Sequence, residues 1–190
     1  MKKTMALILA VLLVVVSFSG CTPPNLGLTL NEFSERLTQR LQADGMDELT
    51  LGEWHFNDFK NIDPTSRGYY SARLHHYISI DVTCANEKSG PITDISIELL
   101  EENWMHWPPY PDPNCFSYLA RIIFDICEPN ATAEEAQGYE DTLITKARAL
   151  NKDREDSVVW HREDHTYQYR YHKSYGSSYF YFSVRMRTYL

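Results

Sequence analysis

Apolar residues at Leu30, Phe33, Leu37 and Leu41 recur at helical intervals, and Thr29-Leu30-Asn31-Glu32 ahead of them has the spacing of a capping box. The pattern predicts a helix to about Gln42, ended by Ala43-Asp44-Gly45. From Leu51 the period falls to two. Trp54 and Phe56 predict a first strand, and Asp63-Pro64-Thr65-Ser66-Arg67-Gly68 is turn chemistry. A long strand is expected next, with Leu74, His76, Ile78, Ile80, Val82 and Cys84 on one face and His75, Tyr77, Ser79, Asp81 and Thr83 on the other. Glu87-Lys88-Ser89-Gly90 reverses the chain. Thr93, Ile95, Ile97 and Leu99 then alternate with Asp94, Ser96 and Glu98, completing the clearest hairpin in the sequence.

The second half repeats these signals in another order. Trp104 to Asn114 is aromatic and proline-rich, and its four prolines exclude regular helix or central strand. Phe116, Leu119, Ile122, Ile123 and Ile126 predict an apolar helix broken by Glu128-Pro129-Asn130. Thr132-Ala133-Glu134-Glu135 is a second capping box, opening a helix with Ala136, Tyr139, Leu143, Ala147 and Leu150 on its narrower stripe. Three strands should follow, carrying Val158 and Trp160, then Tyr167, Tyr169 and Tyr171, then Phe180, Phe182, Val184 and Met186. Separate blocks of strands and helices argue for an α+β class: a single domain over residues 29–190, an antiparallel sheet with the N-terminal helix and two central helices packed on one face.

The segment before this domain carries an address. Lys2 and Lys3, the apolar run Met5 to Val16 and the small residues Ser17 to Gly20 form a secretory signal, too short in its apolar part to be a stable membrane span. Phe18-Ser19-Gly20-Cys21 resembles the bacterial lipobox, although Ser17 and Ser19 also offer a site to an ordinary signal peptidase. The resemblance covers residues 1–21 only. It implies a signal peptide over residues 1–20 and a diacylglyceryl group on the sulfur of Cys21. Residues 21–28 would then be the lipidated cysteine and a short tether, reaching at most roughly 20 Å. The expected location is the outer face of a bacterial cytoplasmic membrane, or the periplasm or outer membrane of a host with two membranes.

Charge narrows the partners. The whole chain carries a formal −8; residues 1–20 hold two lysines and no acid, so their removal takes the remainder to −10. An acidic body is repelled by nucleic acid and by anionic lipid, so nucleic-acid binding is not expected. Only residues 157–190 are locally basic, with Arg162, Arg170, Lys173, Arg185 and Arg187 against Glu163 and Asp164. With Cys21 lipidated, Cys84, Cys115 and Cys127 allow at most one bridge. Cys115 and Cys127 stand about 18 Å apart along one helix and should not pair with each other, so a bridge would involve Cys84; the alternative is three small buried hydrophobes.

Candidate chemistry is sparse. No nucleophile elbow, phosphate loop, dinucleotide fingerprint or zinc-protease motif occurs. His161 and His165 fall on a strand and its turn, and adjacent His75 and His76 point to opposite strand faces, so neither pair builds a metal site alone; no metal or cofactor is expected. The apolar surroundings read for Cys84 and Cys115 suit packing better than an ionised thiol, and Glu101-Glu102 and Glu134-Glu135 suit solvated element ends. The least ordinary signal is the last strand. Tyr179, Tyr181, Arg185, Arg187 and Tyr189 alternate with its apolar residues, and joined by Arg170 and His172 they would form an aromatic, basic patch suited to an anionic partner or sugar rings. The competing reading pairs these arginines with Asp81, Asp94 and Glu98 across strands. Trp104, Trp107 and Tyr110 offer a second surface, or plug the end of the core.

The sequence therefore supports a membrane-anchored envelope lipoprotein, non-enzymatic, binding an unknown protein or envelope polymer through its outward sheet face. The alternatives are an envelope hydrolase with an unrecognised histidine and acid site, and an assembly subunit without a ligand.

Overall fold

The computed structural model describes residues 24–47, 49–60, 67–75, 78–86, 88–100, 115–149, 156–174 and 177–187. They form an α+β architecture built on one antiparallel sheet of seven strands. Helix α1 (Leu30–Ala43) opens on the expected capping box: Thr29 Oγ1 accepts from the Glu32 N–H at 3.3 Å, and the Glu32 carboxylate accepts from the Thr29 N–H at 2.8 Å. An N-cap of this kind contributes about 1 kcal/mol. Phe33, Leu37 and Leu41 form its buried stripe.

The strands are β1 (His55–Asn57), β2 (Tyr69–His75), β3 (Ile78–Asn86), β4 (Ser89–Leu100), β5 (Asp156–Arg162), β6 (His165–Ser174) and β7 (Ser177–Met186), in the order β1-β2-β3-β4-β7-β6-β5. The chain lays down one half of the sheet, forms its central helices, and returns with the other half, so that β7 docks on β4. The long strand expected through Leu74 and Cys84 is instead two strands. β2 and β3 pair antiparallel, with Ala72 opposite Ile80 and His75 opposite Ile78. His75 opposite Ile78 would by itself exchange the two faces, but a register shift between Arg73 and His75 restores them, so the apolar alternation of Ala72 and Leu74 runs on into Ile78 and Ile80, and no glycine, proline or asparagine marks the place. The β3–β4 hairpin has the expected partners, Ile80 opposite Ile97 and Val82 opposite Ile95. An irregularity beside Cys84 brings Ile92 rather than Thr93 into the core.

Helix α2 (Cys115–Cys127) buries Leu119, Ile122, Ile123, Phe124 and Ile126. The next helix is interrupted. α3 (Ala133–Tyr139), capped by Thr132 and Glu135 as expected, passes into a π-helical turn (Glu140–Ile144) and then α4 (Thr145–Arg148). Tyr139 enters the core at this junction. Its ring stacks on Phe124 with centroids 4.3 Å apart and meets Trp160 and Tyr167 edge-on at 5.9 Å. Ring burial of this kind helps join α2 and α3 to the strands, with each aromatic pair adding about 1 kcal/mol beyond area. Cys84 and Cys127 are buried free thiols, and burial pushes both thiol pKa values up, as expected of packing residues.

Candidate functional site: the polar face of the sheet

Two-residue periodicity gives the sheet two faces. Ile80, Val82, Ile95, Ile97, Phe180, Phe182, Val184, Tyr167 and Tyr169 turn into the core. Their alternates form a polar face across β3, β4, β7 and β6. The register places Asp94 opposite Arg185, Glu98 opposite Tyr181 and Ser96 opposite Ser183. Beyond β7 it places Arg170 opposite Tyr181 and His172 opposite Tyr179. On the other side, Asp81 lies opposite Ser96, diagonal to both Asp94 and Glu98.

The five residues Arg170, His172, Tyr179, Tyr181 and Arg185 thus share one face. The Arg170 guanidinium sits 4.8 Å from the centroid of the Tyr181 ring. His172 stacks on Tyr179 with centroids 5.3 Å apart and planes inclined by 15°. Its Nε2 lies 4.0 Å from a Glu98 carboxylate oxygen, and its buried Nδ1 has no partner among the described residues. Between the two rows, Ser96 and Ser183 are only 7 % and 4 % exposed. Tyr181 hydrogen-bonds with both, while burial pushes its hydroxyl pKa up. Arg187 departs from the expectation: it follows the end of β7, exposed, and its N–H donates to the Asp164 carbonyl at 2.5 Å. Cys21, Trp104, Trp107, Tyr110 and Tyr189 lie outside the described residues.

The acids on this face hold their protons unusually well. Burial pushes Asp94 up to about 6; the charge of Arg185 opposes this and the charge of Asp81 adds to it. Asp81 is raised by burial against a hydrogen bond from Ser71. Glu98 is raised by burial, with His172 and Arg170 opposing and Asp81 contributing. Of the three arginines only Arg185 stands directly across from an acid, Asp94; Arg170 lies opposite Tyr181 and acts on Glu98 through its charge, and the three carboxylates remain crowded and incompletely compensated. The face has an acidic row on β3 and β4 and an aromatic, basic row on β7 and β6.

Sequence reasoning missed a second cluster, on the core side. Glu128, just past α2, accepts from Arg162 Nη1 at 2.5 Å and from the Tyr167 hydroxyl at 2.7 Å, and it also receives His165 Nδ1. Arg162 reaches Glu135 as well, at 2.8 Å, so this glutamate both caps the helix start, as expected, and serves as an ion-pair partner. Burial raises the Glu128 pKa, but the hydrogen bonds from His165 and Tyr167 and the charges of His165 and Arg162 outweigh it and hold the carboxyl below its usual range. Both carboxylate oxygens are engaged and the group is enclosed, the arrangement of a clamp joining α2 and α3 to the β5–β6 hairpin. One signal was available: Arg162 has the parity of Val158 and Trp160, and an inward cation needs an acid. His161 bonds to Thr166 at 3.1 Å, away from the Glu128 partners of His165, so these two histidines do not converge.

Among the described residues no three His, Cys, Asp or Glu side chains are grouped to hold a metal ion, and no helix is long and apolar enough to cross a membrane. No family model, curated protein or solved structure matches the chain.

Proposed function

We propose that the chain is a lipid-anchored protein of the bacterial envelope, and that its single α+β domain, with all helices against one face of the sheet, binds a protein or envelope polymer with the other. The carrying observation is the polar face itself. Tyr179, Tyr181, Arg170, His172 and Arg185 stand in one plane beside Asp81, Asp94 and Glu98, with Asp94 pushed up to about 6. A purely structural ladder of ion pairs lowers the pKa of its acids. These acids are raised, so the face gains when an incoming group satisfies them. A ligand with cationic and anionic groups close together, such as a peptide segment or an amino-acylated polymer, meets both rows at once.

The anchor rests on Lys2-Lys3, the apolar run and Phe18-Ser19-Gly20-Cys21. Two acyl chains hold a protein stably where one does not. Cys21→Ala is expected to move the protein from the membrane fraction to the soluble fraction; unchanged retention would remove the anchor from the account. The binding reading is tested by presenting the immobilised full chain in mild detergent to solubilised envelope proteins and, separately, to isolated cell-wall polymer. The parent should retain one of them, and a variant carrying Arg170→Ser, Tyr181→Ser and Arg185→Ser, with unchanged circular dichroism, should not. Equal capture by both chains would contradict the reading.

A further inference from the structure

Strand β5 is one margin of the sheet, paired to β6 alone. The two residues Glu163 and Asp164 close that hairpin, and Arg162 opposite His165 is its first pair. In a two-residue hairpin the closing pair is hydrogen-bonded and bonded pairs then alternate. Asp156, Val158, Trp160 and Arg162 therefore bond to β6. Ser157, Val159 and His161 direct their backbone N–H and C=O groups away from the sheet. The Ser157 N–H is met by the adjacent Asp156 carboxylate at 2.9 Å; among the described residues no backbone group meets the outward edge at Val159 or His161.

Natural sheets guard such margins with short strands, proline, lysine or a bulge. The opposite margin obeys: β1 has three residues. β5 has seven, contains neither proline nor lysine, and keeps an unbroken register with β6. At its centre Val159 is 44 % exposed, the one large hydrophobic residue so exposed among the described residues.

We propose that β5 is a self-association edge, pairing antiparallel with β5 of a second copy about a twofold axis through Val159. In that register Val159 faces its own counterpart, Ser157 faces His161 of the second copy, Val158 faces Trp160, and Asp156 faces Arg162. Apolar meets apolar and a hydroxyl meets an imidazole, each pair repeated by the symmetry, while Arg162 keeps its own partners Glu128 and Glu135. All three residues with outward backbone groups fall at hydrogen-bonded pairs. A one-residue shift sets those groups opposite residues whose own groups point back into their sheet, and a two-residue shift leaves one of the three unmatched. Directly paired residues share a sheet face, so the polar faces of both copies become one continuous surface. The inference depends on the edge and not on the function proposed for that surface.

Two measurements on the purified full chain in mild detergent test it. Sedimentation should give two copies per particle for the parent and one for Val159→Lys, whose like charges would meet on the axis while its exposed position leaves the fold, read by circular dichroism, intact. Under mild oxidation Val159→Cys should form a disulfide-linked dimer, because its counterpart lies across a hydrogen-bonded pair at about 5.5 Å between Cα atoms. Ser157→Cys should not, because its own counterpart is four residues away along the strand. A monomeric parent, a Val159→Lys chain that still dimerises, or equal cross-linking at both positions would each overturn the proposal.

Discussion

Asp94 on β4 faces Arg185 on β7 directly across the central strand pair, and its carboxyl is nevertheless pushed up to about 6. Burial outweighs the arginine, and Asp81 adds a second negative charge nearby. The folded protein therefore binds a proton here more tightly than the unfolded chain, whose aspartate titrates near 3.8. For an acid raised in this way, stability is greatest below the unfolded pKa and is lost as pH rises from about 4 through about 6. Asp94→Asn removes the ionisation. It is expected to stabilise the fold at pH 8 by up to about 3 kcal/mol and to change little at pH 4, read from urea midpoints at the two values. An equal effect at both would mean the carboxylate is not held against its own desolvation.

Glu128 has the opposite sign. Its folded pKa lies below the 4.5 of an unperturbed glutamate, so its contribution is present above that pH and lost as pH falls through the folded value. Glu128→Ala leaves Arg162, His165 and the Tyr167 hydroxyl without their shared acceptor. Breaking one partner out of a buried ion pair costs about 3–5 kcal/mol. Urea unfolding at pH 7 should show that loss, and at low pH the gap to the parent should narrow. A loss under about 1 kcal/mol at pH 7 would be that of an exposed ion pair.

The Tyr139 hydroxyl is fully buried where α3 enters its π-helical turn, and it has no hydrogen-bond partner among the described residues. Its ring contacts with Phe124, Trp160 and Tyr167 do not need the oxygen. An unsatisfied buried polar group costs about 1–3 kcal/mol. Tyr139→Phe is therefore expected to raise the urea midpoint, by the equivalent of about 1 kcal/mol, with the m value unchanged. A destabilised Phe variant would mean that the oxygen holds an ordered water essential to the junction.

Elements whose periodicity agreed with their burial were legible in the chain: α1 with its capping box, the β3–β4 hairpin, the apolar helix α2, and the three C-terminal strands. The β2–β3 reversal was not, because the register shift between Arg73 and His75 keeps the apolar alternation in step through it and no turn residue interrupts it. The π-helical turn was invisible for a similar reason: Tyr139 and Leu143 are four apart and fit an ordinary helical stripe. Alternation on the last strand correctly grouped Tyr179, Tyr181 and Arg185, because a strand fixes which residues share a face. It could not give the register that brings Arg170 over Tyr181 or Asp94 to Arg185, since pairing between β4 and β7 joins residues far apart in sequence. The Glu128 cluster escaped because its acid stands at a helix end, where glutamate is ordinary, and only the inward parity of Arg162 signalled the need for it.

Site-specific photo-cross-linking in the producing cell reads most directly whether the polar face meets a partner. A photoreactive phenylalanine analogue at Tyr179, which stacks on His172 within the face, should yield a discrete adduct with an envelope protein or polymer. The same analogue at exposed Glu35, on the outer surface of α1, should not. An adduct at Glu35 with none at Tyr179 would contradict the account and place any partner on the helices instead.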